Sequence, residues 1–356
     1  MKSFKLKVII VIILSVCLAG TAFAIEVTWT EGLIPPGTGL EIIYEDIMEE
    51  IQSISPFPKD FIRAFADASV FSSHSATQRA FGEYEIFAVT VGGMAGLRLP
   101  ASPANIANDF KNSDVFMDRL QEKGDIYTGI NIQSAFQVGF NSSFLFDRFH
   151  LGLRFGFSDI SPGTADLGDK LNIGLKMFHI GPVAHYNLLE GIDAGALKWR
   201  GISIGTGLLY QKTVFKMGYV VQDVVSSVVV GGITTTIDDP EVTFEMIIDT
   251  LTIPLEINTS VHLLWFLNIN FGLGADFGFG KNTTTIGLHS GITIDGVPRG
   301  SFLVNAGGSM NPVFFNPKVM TNFGLKLGPV ILDIPVTYYF GNKTGFNAGV
   351  TFGVVW

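Results

Sequence analysis

From Tyr84 onward the chain alternates apolar positions with polar or glycine positions at a period of two. In residues 85–99 the odd positions Phe87, Val89, Val91, Ala95, Leu97 and Leu99 are apolar, against Thr90, Gly92, Gly96 and Arg98. In 126–140 Ile126, Ile130, Ile132, Phe136, Val138 and Phe140 share one face, and Asn131, Gln133 and Gln137 the other. Residues 148–157 set Phe149, Leu151, Leu153, Phe155 and Phe157 against Arg148, His150 and Arg154, with glycines between. Residues 267–280 set Leu267, Ile269, Phe271, Leu273, Phe277 and Phe279 against Asn268, Asn270, Asp276 and more glycines. One greasy face and one polar face over about ten residues is the pattern of strands in a closed membrane sheet, with lipid outside and water or side chains inside. Segments 171–186, 200–216, 243–262, 317–327, 330–340 and 345–356 extend it, with a parity slip near Met177 and Phe178 that reads as a bulge.

These segments predict an all-β, transmembrane antiparallel β-barrel of ten strands. Connectors around 141–146, 187–198, 263–266 and 328–329 are short, and those around 100–125, 158–170, 218–241 and 281–316 are mostly longer, with 341–344 a short exception. Short periplasmic turns and longer external loops are usual in such barrels, so both chain ends are expected on the periplasmic side. Trp199, Trp265 and Trp356 then fall together at the periplasmic rim, and Tyr338 and Tyr339 at the opposite one, as amphipathic girdle residues. Residues 283–310 and 218–236 are also β-rich, which leaves twelve or fourteen strands as alternatives.

The stretch before the barrel has a different period. Leu40, Ile43, Ile47 and Ile51 recur at helical spacing, with Glu41, Glu45, Asp46, Glu49 and Glu50 on the other faces. A second helix starting near Pro58 carries Phe61, Ile62 and Phe65. Both are too polar to span lipid, so residues 25–80 are expected to plug, cap or rim a barrel formed by 81–356. Residues 1–24 read as a cleavable signal peptide: Lys2, Lys5 and Lys7, an apolar run from Val8 to Ala19, and Ala22-Phe23-Ala24 as the cleavage site. Lipid attachment at Cys17 is the rival reading, and the large Val16 beside it argues against that.

Composition agrees with a membrane sheet. Charged residues are only 15%, while Gly reaches 41 and Phe 31; the usual charged share is about a quarter. Export would remove Cys17, the one cysteine, and with it any disulfide or thiolate metal site. A net charge of −9 does not suit nucleic acid.

The chemistry-bearing motifs are weak. Gly201-Ile202-Ser203-Ile204-Gly205 matches a nucleophile elbow but lies inside an alternating strand, where no strand-to-helix turn exposes the serine. Gly278-Phe279-Gly280-Lys281 lacks the spacing and the hydroxyl of a phosphate loop. Loop aspartates such as Asp159, Asp166 and Asp238 have no calcium-loop spacing. No catalytic, cofactor or metal residue is therefore expected, although His150, His179 and His185 keep an enzyme as a minor reading. The inward inventory is Arg98, Gln133, Gln137, Arg148, His150, Arg154, Glu256, Asp276, Lys318, Lys326 and Asp333: lining for an ion pathway, or paired filling in a narrow barrel.

The strings Ser69-Val70-Phe71, Gln78-Arg79-Ala80-Phe81 and Trp199-Arg200-Gly201 to Tyr210-Gln211 resemble a spirochaetal family of surface-adhesin-like outer-membrane β-barrel proteins. That resemblance implies an outer-membrane location and host-matrix binding through external loops. It carries over no binding residues. The end of the chain, Phe352 to Trp356, resembles the assembly signal of outer-membrane barrels and implies insertion by the barrel-assembly machinery. Two functions stay open: a structural or adhesive surface barrel, and a channel or small-solute transporter plugged or gated by the N-terminal helices.

Overall fold

The computed structural model describes residues 24–30, 59–73, 86–99, 129–141, 148–160, 171–220, 226–230, 233–341 and 344–356. Their elements in chain order are β1 (Ala24–Thr30), α1 (Lys59–Ser73), β2 (Phe87–Leu99), β3 (Gly129–Asn141), β4 (Phe149–Ile160), β5 (Leu171–Leu189), β6 (Ile192–Ala194), β7 (Leu197–Gly207), β8 (Leu209–Val220), β9 (Ser226–Val230), β10 (Ile233–Leu263), β11 (Leu267–Ile294), β12 (Val297–Met310), β13 (Phe315–Leu327), β14 (Val330–Tyr339) and β15 (Thr344–Val355). The signal-peptide reading and the helix expected at 40–51 lie outside the described residues, apart from Ala24, which opens β1.

The strands close into a ring of ten, every neighbour antiparallel. β7 and β8 act as one strand interrupted at Leu208, because both pair β5 on one side and β10 on the other in a register that is unbroken across Leu208. The ring closes where β15 meets β2 and where β10 meets β11. Closure satisfies every ladder without an edge in lipid, the one solution open to strands there. Among the described residues no helix is long and apolar enough to cross a membrane.

The alternation predicts the facing. On β4 the apolar Leu151, Leu153, Phe155 and Phe157 stand exposed, and His150 and Arg154 are buried. β11 likewise exposes Phe271 and Leu273 and buries Asn268, Asn270 and Asp276. An inside-out arrangement of this kind fits a hydrocarbon solvent.

The long strands reach beyond the ring. β10 has 31 residues and β11 has 28, well past the spans expected at 243–262 and 267–280. The near half of β11 pairs β13 and the far half pairs β12, again in one register. Residues 283–310 are therefore a hairpin above the ring, and they add no strand to it. Its turn is Asp295-Gly296, both at positive φ (47° and 79°), which fits the two-residue turn that matches strand twist. β9 pairs the far end of β10, and β1 pairs β12. β1 thus lies at the end of the barrel opposite Trp356, whereas β2 begins beside Trp356, with Ile86 N–H bonded to the Trp356 carbonyl at 2.8 Å. Only the ring proper begins and ends at one rim.

The parity slip in β5 has a different cause from a bulge. The register from Leu171 to Tyr186 against β4 and β8 is unbroken, and its irregularity falls between Asn187 and Leu189. The outward face changes character instead. Lys176 pairs with Asp159 at 3.1 Å and Lys216 with Glu245 at 2.7 Å, all on the outer wall. The strands leave the apolar belt there, so charges move outside and Leu175 and Met177 turn inward.

Candidate functional site

α1 occupies the lumen, and small residues on both surfaces explain how it fits. Its buried positions include Ala64, Ala66, Ala68, Ser69, Ser72 and Ser73. Opposite them the wall carries glycines. A Cβ on Gly129 would strike the Ala64 carbonyl, one on Gly96 the backbone at Ala68 and Ser72, and one on Gly345 the Phe71 ring. Helix and wall therefore approach backbone to backbone.

Polar groups fix the helix in this slot. The Arg98 guanidinium donates to the Asp60 carbonyl at 2.8 Å and lies 3.2 Å from the Asp67 carboxylate. Asp67 also accepts the Val313 N–H at 2.7 Å. Asn282 donates to the Ile62 carbonyl at 2.8 Å, and Asn131 to the Ser72 hydroxyl at 2.7 Å. Ser69 and Thr250 share a hydrogen bond at 2.7 Å. Near the C-terminal end of α1 the Phe71 carbonyl accepts from Asn347, and the Tyr339 hydroxyl lies 3.3 Å from it.

A buried ion cluster lies against the helix end. The Lys318 ammonium sits 2.6 Å from Glu256 and 2.6 Å from Asp276, and all three side chains are at most 1% exposed. The register explains the contact. Glu256, Gly274 and Lys318 form one row across β10, β11 and β13. Gly274 has no side chain to stand between the outer two, so lysine meets glutamate across the middle strand. Asp276 faces inward one step farther along β11, and it accepts the Tyr339 hydroxyl at 2.8 Å while that ring stacks on Phe71 at 4.0 Å. Beyond it Arg154 donates to Gln137 at 2.6 Å. These contacts join helix, cluster and wall in one packed interior.

The inward expectations meet the structure residue by residue. Arg98, Gln137, His150, Arg154, Glu256, Asp276, Lys318 and Asp333 are buried on the inner face. Arg148 is elsewhere: it takes a positive φ of 65° before β4, is 38% exposed and pairs with Glu190 at the rim. Lys326 sits near the β13–β14 turn, half-buried. The side chain of Gln133 lies outside the described residues. His179 and His185 are also buried inside. Ser203 stands in the middle of β7, paired in register with Asn187 and Asn258, and β11 runs straight through Gly278 and Lys281.

Aromatic residues mark two rims. At one, Trp199 donates to Thr259 at 2.8 Å, Trp356 stacks on Phe87 at 4.4 Å, and Trp265 stands 80% exposed in the β10–β11 turn. Leu264 and Trp265 both hold positive φ without being glycine. At the other rim Tyr338 packs on Phe346 at 5.1 Å, and Phe277, Phe279, Phe314 and Phe315 cluster at 5.3–5.6 Å. Tyr338 faces outward as expected, whereas Tyr339 is fully buried in the lumen. The clustering of Phe277 and Phe279 with Phe314 and Phe315, Tyr339 as a lumen residue and Asp67 went unmarked in the sequence. The two inward residues were signalled there by alternation with Tyr338 and by an aspartate among buried helix positions.

Among curated proteins none matches the sequence. Solved structures give distant likenesses. The translocator domain of the autotransporter NalP from Neisseria meningitidis is 9% identical, with 82% of this chain and 100% of that chain covered and a TM-score of 0.36. The Ralstonia pickettii toluene transporter TbuX is 8% identical over 78% and 91%, with a TM-score of 0.27. The attachment invasion locus protein Ail of Yersinia pestis is 9% identical over 64% and 99%, with a TM-score of 0.24. Scores this low say nothing of activity. The sequence signature of the Lsa36-like family matches residues 37–356, and the chain belongs to that family.

Proposed function

We propose that the protein is a non-enzymatic surface barrel of the bacterial outer membrane that binds partners through the strands and loops beyond its aromatic outer rim. The observation that carries this reading is the combination of a filled lumen with a wall that continues past the membrane. α1 and the Lys318 cluster occupy the interior, while β10, β11 and β12 rise above the phenylalanine cluster. Membership of a surface-adhesin-like family supports an adhesive role. Macromolecules of the host matrix are the partner class this role implies. Lipid solvates the outer wall, and the barrel-assembly machinery inserts it.

Shortening the hairpin tests this. Closing β11 and β12 at the paired residues Thr285 and Gly307 removes its upper part and leaves the ring intact. Cells displaying the shortened protein should bind immobilised matrix proteins at least tenfold more weakly. Unaltered binding would remove the hairpin from the adhesive surface.

One observation favours the second reading, a plugged small-solute channel. α1 is a separate chain segment held in the lumen by side-chain contacts, so its displacement would open a path.

A further inference from the structure

We infer that the chain threads its own barrel, so that the N-terminal strand β1 is displayed on the cell surface while the C-terminus stays at the periplasmic rim. This rests on the outward orientation proposed above for the β11–β12 hairpin. The threading itself follows from three placements.

First, β1 pairs β12 antiparallel from Ala24 with Gly307 to Thr30 with Ser301. β12 belongs to the part of the wall above the phenylalanine rim. Second, α1 runs down the lumen from that same end. Its start lies by Arg98 at the far end of β2, and its Ile62 carbonyl meets Asn282. Farther along, Val70 packs where a Gly278 side chain would stand, and Ser72 reaches Gln211. Eight residues of helix rise about 12 Å, and the four strand residues from Asn282 to Gly278 span about 13 Å. The helix therefore descends alongside the strands toward the opposite end. Third, the chain reaches the opposite rim at Ile86, bonded to the Trp356 carbonyl. β1, α1 and Ile86 stand in the outer sheet, in the lumen and at the inner rim in that order along the chain, so the chain passes through the barrel before the wall begins.

The partner-binding surface then includes β1. It forms one end of the strand order, with β12 its one neighbour among the described residues.

The test uses cysteine variants of the full chain in a Cys17→Ser background, since Cys17 is the only native cysteine. Val297→Cys marks the hairpin tip and Asp193→Cys the opposite rim. Both are treated with a membrane-impermeant maleimide on intact and on permeabilised cells. Two paired variants, Glu26→Cys with Asn305→Cys and Thr28→Cys with Leu303→Cys, report whether β1 sits on β12, since register partners fall within disulfide reach. Threading predicts Val297→Cys labelled on intact cells, Asp193→Cys labelled only after permeabilisation, and most molecules crosslinked by at least one pair. If Val297→Cys labels on intact cells but neither pair crosslinks, threading is overturned and the surface reading stands. If Val297→Cys labels only after permeabilisation, the orientation fails and surface display of β1 fails with it.

Discussion

Replacing Lys318 with methionine probes the interior most sharply. The ammonium touches Glu256 and Asp276 at 2.6 Å each, and none of the three side chains meets solvent. Methionine keeps the length and most of the volume, so little cavity forms. What remains is two buried carboxylates on adjacent strands without the cation between them, with Arg154 still attracting Glu256. Removing one partner of a buried ion pair costs about 3–5 kcal/mol, because the other charge stays desolvated. Two affected carboxylates, one of them still attracted by Arg154, place Lys318→Met within that range. The cost should fall when the charges are removed together. A Lys318→Met, Glu256→Gln, Asp276→Asn triple variant should lose markedly less, since neutral replacement of a whole buried cluster is often tolerated. Unfolding by guanidinium in lipid vesicles, followed by the fluorescence of the rim tryptophans, reads both values. A single-variant loss below about 1 kcal/mol, the value of a solvent-exposed pair, would refute a dry packed cluster.

Other perturbations follow from the same geometry. Phe155→Arg puts a cation on the lipid face of β4 and should destabilise the inserted barrel by about 2–4 kcal/mol in vesicle unfolding; a greater insertion defect in Gly156→Arg would reverse the facing. Tyr339→Phe removes the hydroxyl that bridges Asp276 and the Phe71 carbonyl, and should cost about 1–3 kcal/mol; an unchanged midpoint would mean that the bridge contributes nothing. Arg98→Met leaves the Asp67 carboxylate buried on α1 and should raise proteolysis of the helix in refolded protein, with no change expected if α1 is held by packing alone.

Much of the wall was legible because lipid imposes a strict rule on it. Phe149 to Phe157 could alternate with glycines and charges only if one face met hydrocarbon, and the ten strand positions follow from that rule. Strand ends were harder to read. The two-residue alternation of β10 and β11 continues past the membrane while its apolar side inverts, from outward Phe271 and Leu273 to inward Ile286, which packs on Ile62 of α1 and on Phe244, so the period alone did not mark the rim. In β5 the slip at Met177 was visible, yet one sequence cannot separate a bulge from a change of solvent; the Lys176–Asp159 pair decides it. The interior was legible as an inventory and not as contacts. Lys318 reaches Glu256 only because Gly274 lies between them, and that is a fact of register. Arg148 failed the parity rule because its positive φ belongs to a turn. The slot for α1 depends on Gly96, Gly129 and Gly345 meeting small helix residues, a complementarity that appears only when distant segments are brought together.

The lumen is closed by its own helix and ion cluster. Single-channel conductance of the refolded protein in a planar bilayer tests this closure most directly, comparing the intact chain with one lacking α1. A closed lumen gives no steady current from the intact protein and a persistent pore, or intermittent openings, once α1 is gone. A stable open pore in the intact protein would contradict it.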